Sequence, residues 1–336
     1  MRYFCSQFLL GLVFIAPTLA VAQNLQTLGG GSGTVTIRTI PSRPGPNQNV
    51  SIILESFATN LDRATITWLL NGKIQTDKVG QKTFSFKTGK AGSVSDILII
   101  IKTPEGAVTQ ESLSIHPASV DLIAEAESYT PPFYRGKALY PFQGTVKVVA
   151  LPNIVTSSGS TLNPKNLLYS WKVDGHPATS VSGYGKSFIT FTGTIPLKPA
   201  VISVEVASLD QTYVAGNSIT LTPVQPRVVF YEENPLVGTL YNKSLASSLF
   251  LKNEEIKVVA IPYFSETSER EGGKLNYEWR INNNIIPGSS NKSGLAFRQE
   301  KGVSGMAAVS LQVSNPAKIF QFANANLSLF FGTDGN

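Results

Sequence analysis

Three tryptophans in one repeated local setting constrain this chain more than any other feature. Trp68 stands in ATITWLLNG (64–72), Trp171 in LLYSWKVDG (167–175) and Trp279 in LNYEWRINN (275–283). Apolar and polar residues alternate in each stretch, so every second side chain falls on one face of a strand and the Trp shares that inward parity. Each stretch closes three positions later on Asn71-Gly72, Asp174-Gly175 or Asn282-Asn283. These residue types accept the positive φ that both central positions of a type I′ hairpin turn require. The tryptophans stand 103 and 108 residues apart, the length of one sandwich domain of about 100 residues.

Flanking strands recur in the same order. Before the Trp come VSIIL (50–54), TVKVVAL (145–151) and EIKVVAI (255–261). After it come FSF (84–86), FITF (188–191) and LAF (295–297), then DILIII (96–101), AVISVEV (200–206) and MAAVSLQV (306–313). Each unit ends on a further strand, at 111–115, 218–221 and 326–330. Strand-length runs, turn residues between them and no useful helical period predict an all-β chain of tandem sandwiches. Trp68, Trp171 and Trp279 are then one structural core anchor per domain, filling the gap between two sheets that no disulfide ties. The predicted domains are 34–118, 119–222 and 223–332. Their joints, HPAS (116–119) and TPVQP (222–226), are short and stiffened by proline, which predicts a semi-rigid rod.

The amino terminus sets the destination. Met1-Arg2 is a short basic start, FLLGLVFIA (8–16) an apolar core, and Ala20-Val21-Ala22 offers the small residues of a cleavage site. Residues 1–22 are read as a secretory signal, since the core is too short to span a bilayer, and residues 23–33 as a flexible Gly/Ser leader. The longest later apolar run, ILIII (97–101), is strand-sized, so no integral membrane segment is expected once the signal is removed. The product is expected to be exported: periplasmic, cell-surface or secreted. Its one cysteine, Cys5, falls within the signal, so a mature chain has no thiol for disulfide or redox chemistry.

Composition speaks against catalysis. Two histidines, His116 and His176, are far apart in sequence, and neither lies near a Gly-x-Ser-x-Gly elbow. The acidic pairs Glu232-Glu233 and Glu254-Glu255 lack the Asp/Asn-rich spacing of a calcium loop. No catalytic residue, cofactor or metal is expected, and the chain is read as not an enzyme. Nucleic acid is not an expected partner either, despite a net charge of +6, because there is no recognition helix or basic-aromatic platform. Lys73, Lys78, Lys82, Lys87 and Lys90, opposed by Asp77 alone, are read as edge-strand charges that block sheet-to-sheet aggregation. An anionic wall polymer or membrane surface is the functional alternative for them.

Two insertions carry the candidate site. Domains two and three, unlike domain one, have a long stretch between their first two strands: YTPPFYRGKALYPF (129–142) and NPLVGTLYNKSL (234–245). Aromatic, Pro-rich loops at the end of a sandwich are where such folds bind partners, which selects Tyr129, Phe133, Tyr134, Arg135, Tyr140, Phe142 and Tyr241. The competing expectation is that each loop caps its own domain and braces the joint to the preceding one.

The repeated strand–Trp–x–apolar–Asn/Asp-Gly unit resembles the bacterial immunoglobulin-like and PKD-like modules found in tandem on exported proteins. The KVVA (147–150, 257–260) and PPFYRGKAL (131–139) stretches are similar to those of secreted surface or envelope proteins from candidate-phyla bacteria. The resemblance covers about 34–331 and carries over no functional residue. It implies three tandem immunoglobulin-like β-sandwich domains serving surface structure or adhesion. Three roles follow as expectations. The first is a non-catalytic exported structural, adhesion or envelope-assembly protein that binds a protein partner through end loops or strand edges. The second is a carbohydrate or cell-wall-polymer binding module using the aromatic loop 129–142. The third is a periplasmic assembly chaperone with one exposed strand edge.

Overall fold

The computed structural model describes residues 35–194, 198–251 and 253–332. The expected signal (1–22) and leader (23–33) lie outside the described residues. What is described is all-β: six sheets that pair into three sandwiches, each around its own core.

In unit one, strands Thr36–Ile40, Asn49–Glu55 and Thr83–Lys87 pair in that order. The facing sheet runs Lys73–Val79, Thr65–Leu70, Ser95–Lys102, Val108–Ile115. Unit two repeats the plan with Ser119–Ala126, Thr145–Asn153 and Phe188–Thr192 against His176–Pro177, Leu168–Val173, Ala200–Ala207 and Val214–Leu221. Unit three does so with Arg227–Asn234, Glu255–Tyr263 and Gly294–Arg298 against Asn284–Ile285, Asn276–Ile281, Gly305–Ser314 and Phe322–Phe331. In every unit the fourth strand pairs with the third rather than with the fifth. This gives the three-on-four plan of an immunoglobulin-like sandwich in place of the four-on-three split of constant-type domains, with Gly183–Tyr184 added to the second sheet of unit two and one further strand added to each sheet of unit three.

The cores follow from strand parity. In Ser95–Lys102 the residues Ile97, Ile99 and Ile101 are buried while Asp96 and Lys102 face out. Trp68, Trp171 and Trp279 are all within 1% of complete burial. Each indole N–H donates to a backbone carbonyl at 2.8 Å, on Gln81, Lys186 and Lys292 respectively. A buried indole keeps its favourable burial only if its one donor finds such a partner. In unit one Trp68 also stacks on Phe84 at 5.4 Å, and in unit three Trp279 stacks on Phe230 at 5.5 Å.

The hairpin turns have the expected geometry, with φ of 49° and 77° at Asn71-Gly72, 49° and 81° at Asp174-Gly175, and 47° and 66° at Asn282-Asn283. They do more than reverse the chain. The side-chain oxygens of Asn71, Asp174 and Asn282 accept from the backbone N–H of Asp96 (2.9 Å), Val201 (2.8 Å) and Ala308 (3.0 Å). Their own N–H groups donate back to the same three residues at 2.8 Å. Each turn is thereby pinned to the neighbouring strand, so a residue chosen for positive φ also closes the ladder.

Four expectations need correction. The second insertion is no loop: Gly238–Ser244 folds back on Arg227–Asn234 as a hairpin, and Ser248–Phe250 then crosses to pair in parallel with Phe322–Phe331. Backbone groups at a sheet margin are satisfied most cheaply by another strand, and this segment supplies one on each sheet. The first insertion, residues 127–144, does remain irregular, but it braces the joint to the following unit rather than the preceding one. Lys82 is ion-paired with Asp62 at 2.8 Å, so Asp77 is not the only acid opposing that lysine set. A one-turn helix, Thr267–Glu271, sits between two strands of unit three, too short to leave a periodic signal.

Candidate functional site

The two insertions converge on one place, the joint between units two and three. Backbone pairing draws the first across: Tyr129 N–H donates to Ser265 O, and Phe264 N–H donates to Tyr129 O, both at 2.8 Å. Ser128 and Glu266 form an isolated antiparallel bridge beside them. A loop that would otherwise carry unpaired peptide groups thus finds its partners on the next unit.

The aromatic side chains then fill the joint. The Tyr129 ring lies under the Arg270 guanidinium at 3.7 Å and packs, with Tyr241, against one small core. Burial pushes the Tyr129 phenol above its usual range, with Arg270 opposing the shift. Tyr241 packs 5.6 Å from Tyr231, whose hydroxyl makes a very short hydrogen bond to that of Tyr263. Tyr134 sets its edge on Tyr263 (5.7 Å) and Phe264 (5.9 Å). The Tyr129, Tyr241 and Tyr263 rings pack against a small separate core of Tyr231, Val259 and Ile261.

Tyr140 is buried at 8% exposure, edge-on to Phe191, and its oxygen lies where a Cβ on Gly193 would stand, only 1.8 Å away. Its carbonyl accepts from Val224, while Phe142 N–H donates to Val224 O, tying the insertion to the linker between the units. Phe142 is half-buried and its carbonyl accepts from Gln321 Nε2 at 2.7 Å. Phe133 (83% exposed) and Arg135 stay on the surface. Of the seven residues the sequence selects, the structure therefore gathers Tyr129, Tyr134, Tyr140, Phe142 and Tyr241 into the joint.

The sequence missed the charged half of the same joint. Lys318 is ion-paired with Glu266 and stands 3.4 Å from Glu269. Thr145 Oγ1 of unit two donates to Glu266 Oε1 at 2.9 Å, and the Asn315 amide donates to Glu269. Burial lowers the Lys318 pKa, with Glu127 working against the shift. No local pattern marks these residues, because 266–269 and 315–318 meet only after unit three has folded.

A cleft of about 740 Å³ opens beside the joint, lined among others by Glu125, Glu127, Lys137, Lys147 and Glu271. Its charges are of both signs: Glu125 faces Lys147 in strand register, and Lys147 lies over the Phe188 ring at 4.7 Å. Among the described residues no group of three His, Cys, Asp or Glu side chains is placed to hold a metal ion. His116 is at the first joint, edge-on to Tyr213 at 5.0 Å, while His176 is exposed beside a hairpin turn. No helix of the described residues is long and apolar enough to cross a membrane.

No family model matches the chain, and no curated protein matches it. Among solved structures it is similar to the three N-terminal domains of the bacteriophage RB49 outer capsid protein Hoc, at 12% identity and a TM-score of 0.26. That match covers 90% of this chain and 99% of the other. It is similar to the central fibronectin-III array of RIM-binding protein at 11% identity and a TM-score of 0.29, covering 86% and 93%. A third is the Bacteroides ovatus glucan-utilisation protein SGBP-B, solved with a mixed-linkage heptasaccharide, at 12% identity and a TM-score of 0.22, covering 87% and 65%. Such scores carry no functional argument. The assignment to tandem immunoglobulin-like sandwiches stands on the strand pairing itself.

Proposed function

We propose that this chain is a non-catalytic structural module of an exported surface or envelope assembly, which holds sandwich units at a set orientation and offers its ends and strand edges to a protein partner. One observation carries the reading: four of the five aromatic side chains of the first insertion are spent on the joint, and Phe133 alone stays on the surface. A glycan platform needs aromatic faces open to a sugar ring, whereas Tyr134 meets Tyr263 and Phe264, and Tyr129 meets Arg270. Each ring so placed stiffens one unit against the next, the property a spacer requires. The domain divisions at 118/119 and 222/223 belong to the same proposal.

Small-angle X-ray scattering on the chain and on its Tyr129→Ala/Tyr134→Ala variant tests it. A spacer role predicts a rise in radius of gyration and in flexibility for the variant. Unchanged scattering, together with loss of binding on a glycan array, would transfer the role to carbohydrate recognition.

A further inference from the structure

The outer face of the first sheet is finished differently in each unit, and in unit two it is apolar and open. The chain reads Lys-Val-Val-Ala at both 147–150 and 257–260. The two stretches keep one register to the first strand of their unit. Val149 stands opposite Ile123 and Leu151 opposite Asp121, as Val259 stands opposite Tyr231 and Ile261 opposite Val229. In unit three these outward positions are covered: Tyr231 is 5%, Val259 8% and Ile261 2% exposed, under Tyr129 and Tyr241. In unit one they are charged. Val50, Val146 and Ile256 pair with Phe86, Phe191 and Phe297, which sets Glu55 at the place of Leu151, and Glu55 is ion-paired with Arg38. In unit two Ile123 is 55% and Leu151 48% exposed, and Phe188, which pairs with Val149, is 49% exposed. Large apolar side chains in adjoining rows of one sheet face form a continuous patch, unlike apolar residues scattered singly.

The strand margin beside this patch is open as well. Glu127 N–H donates to Thr145 O, so the antiparallel alternation turns the N–H and C=O groups of Leu122, Ala124 and Ala126 away from the ladder. Val120 faces the same way, and its carbonyl accepts from the Asn217 amide at 2.8 Å. In unit three the matching groups are taken: Leu245 N–H donates to Phe230 O, and Gly238–Ser244 pairs along 231–234. Among the described residues no strand pairs with 122–126 on that side. The cleft of about 740 Å³ lies there, lined by 124–128 together with Lys137, Thr267 and Glu271.

We propose that this edge of unit two receives an extended segment of a partner protein, which adds antiparallel to 122–126 and lays an aromatic side chain over Ile123 and Leu151. The chemistry of the occupant is read from unit three, where the strand on the matching edge reads GTLYNKS and its Tyr241 ring packs 5.6 Å from Tyr231. Charge agrees with such a segment. Glu125, Glu127 and Glu271 outnumber Lys137 and Lys147 in the cleft, and Lys147 already lies over the Phe188 ring, so a basic residue like Lys243 is favoured. Backbone pairing supplies affinity, and the aromatic side chain on the patch supplies selection. The inference rests on the reading that strand edges of this chain serve a protein partner. Scattering reports on the spacer and peptide binding on this edge, so either can fail alone.

Fluorescence anisotropy with a labelled peptide GTLYNKSL, the sequence of 238–245, added to the full chain at up to about 1 mM is the test. Wild type is expected to bind it saturably. Binding is expected to weaken by about 10-fold or more in Ile123→Ser/Leu151→Ser, and equally when the peptide carries Tyr241→Ser. The altered side chains are half exposed, so the chain variant is expected to keep the wild-type melting temperature. Amide hydrogen exchange at 122–126 in the wild type is expected to slow when the peptide is added. No saturation, binding indifferent to Ile123→Ser/Leu151→Ser, or binding without slowed exchange at 122–126 overturns the proposal. So does a dimer in which 122–126 are protected before any peptide is added, which gives the edge to a second copy.

Discussion

Replacing Lys318 by Met removes the cation from a nearly dry acidic pair and gives the sharpest test of how the second joint is held. The Lys318, Glu266 and Glu269 side chains are 17%, 10% and 11% exposed. Removing one partner of a fully buried ion pair costs about 3–5 kcal/mol, because the remaining charge keeps its desolvation penalty. Here some water still reaches the carboxylates, so about 2–4 kcal/mol is expected at neutral pH. For a unit of roughly 100 residues this lowers the melting transition by about 10–25 °C.

The pH dependence follows from the same charges. Without the lysine, two carboxylates are left facing one another in low dielectric with no cation between them, a penalty that exists only while both are charged. The deficit of Lys318→Met is therefore greatest at pH 7 and small at pH 4. Differential scanning calorimetry at the two pH values reads it, with the transition of unit three as the observable. Adding Glu266→Gln to the variant is expected to restore part of the loss. A transition unmoved at pH 7, or lowered equally at both pH values, refutes the account of a buried, lysine-neutralised network.

Two further outcomes follow from the geometry. Gly193→Ala sets a Cβ on the Tyr140 oxygen, so the ring must leave its site; urea unfolding of unit two is expected to show a loss of about 1–3 kcal/mol, reduced in Gly193→Ala/Tyr140→Phe, where the ring carbon at 3.0 Å still has to give. Asp210 is held at about 2, foremost by the Ser208 hydroxyl and then by Thr212. A pKa so depressed means stability present above the unfolded value near 4 and lost as pH falls toward 2; Asp210→Asn is expected to be less stable than wild type at pH 6 and equal to it below pH 2.

Much of the fold was legible because its signals are local. The inward parity of Trp68, Trp171 and Trp279 is a two-residue periodicity that any strand obeys. Positive φ at Asn71, Asp174 and Asn282 is a demand of the turn alone. The pinning of these turns to Asp96, Val201 and Ala308 was not legible, since the acceptor residue is named only by the register of another strand. The segment 238–244 follows the turn residues Asn234-Pro235 and opens on Gly238, but carries no regular apolar/polar alternation, and it became a strand because an open sheet margin lay beside it.

The site divides in the same way. Residue types marked Tyr129, Tyr134, Tyr140, Phe142 and Tyr241 as partner-binding side chains, and the structure sets them at the second joint. Which surface they meet depends on how unit two is set against unit three, and no spacing along the chain encodes that. Glu266, Glu269 and Lys318 show the limit most plainly: each is an ordinary surface residue type until folding brings two segments about 50 residues apart into one dry pocket.

By itself, then, the sequence determined three β-sandwiches, their anchors and their turns, because side-chain alternation and backbone φ are settled within a few residues. The tertiary structure alone decided that the aromatic insertions meet at the second joint, with Glu266, Glu269 and Lys318 beside them. Burial at a joint is a property of two surfaces together, and only the assembled chain brings both into being.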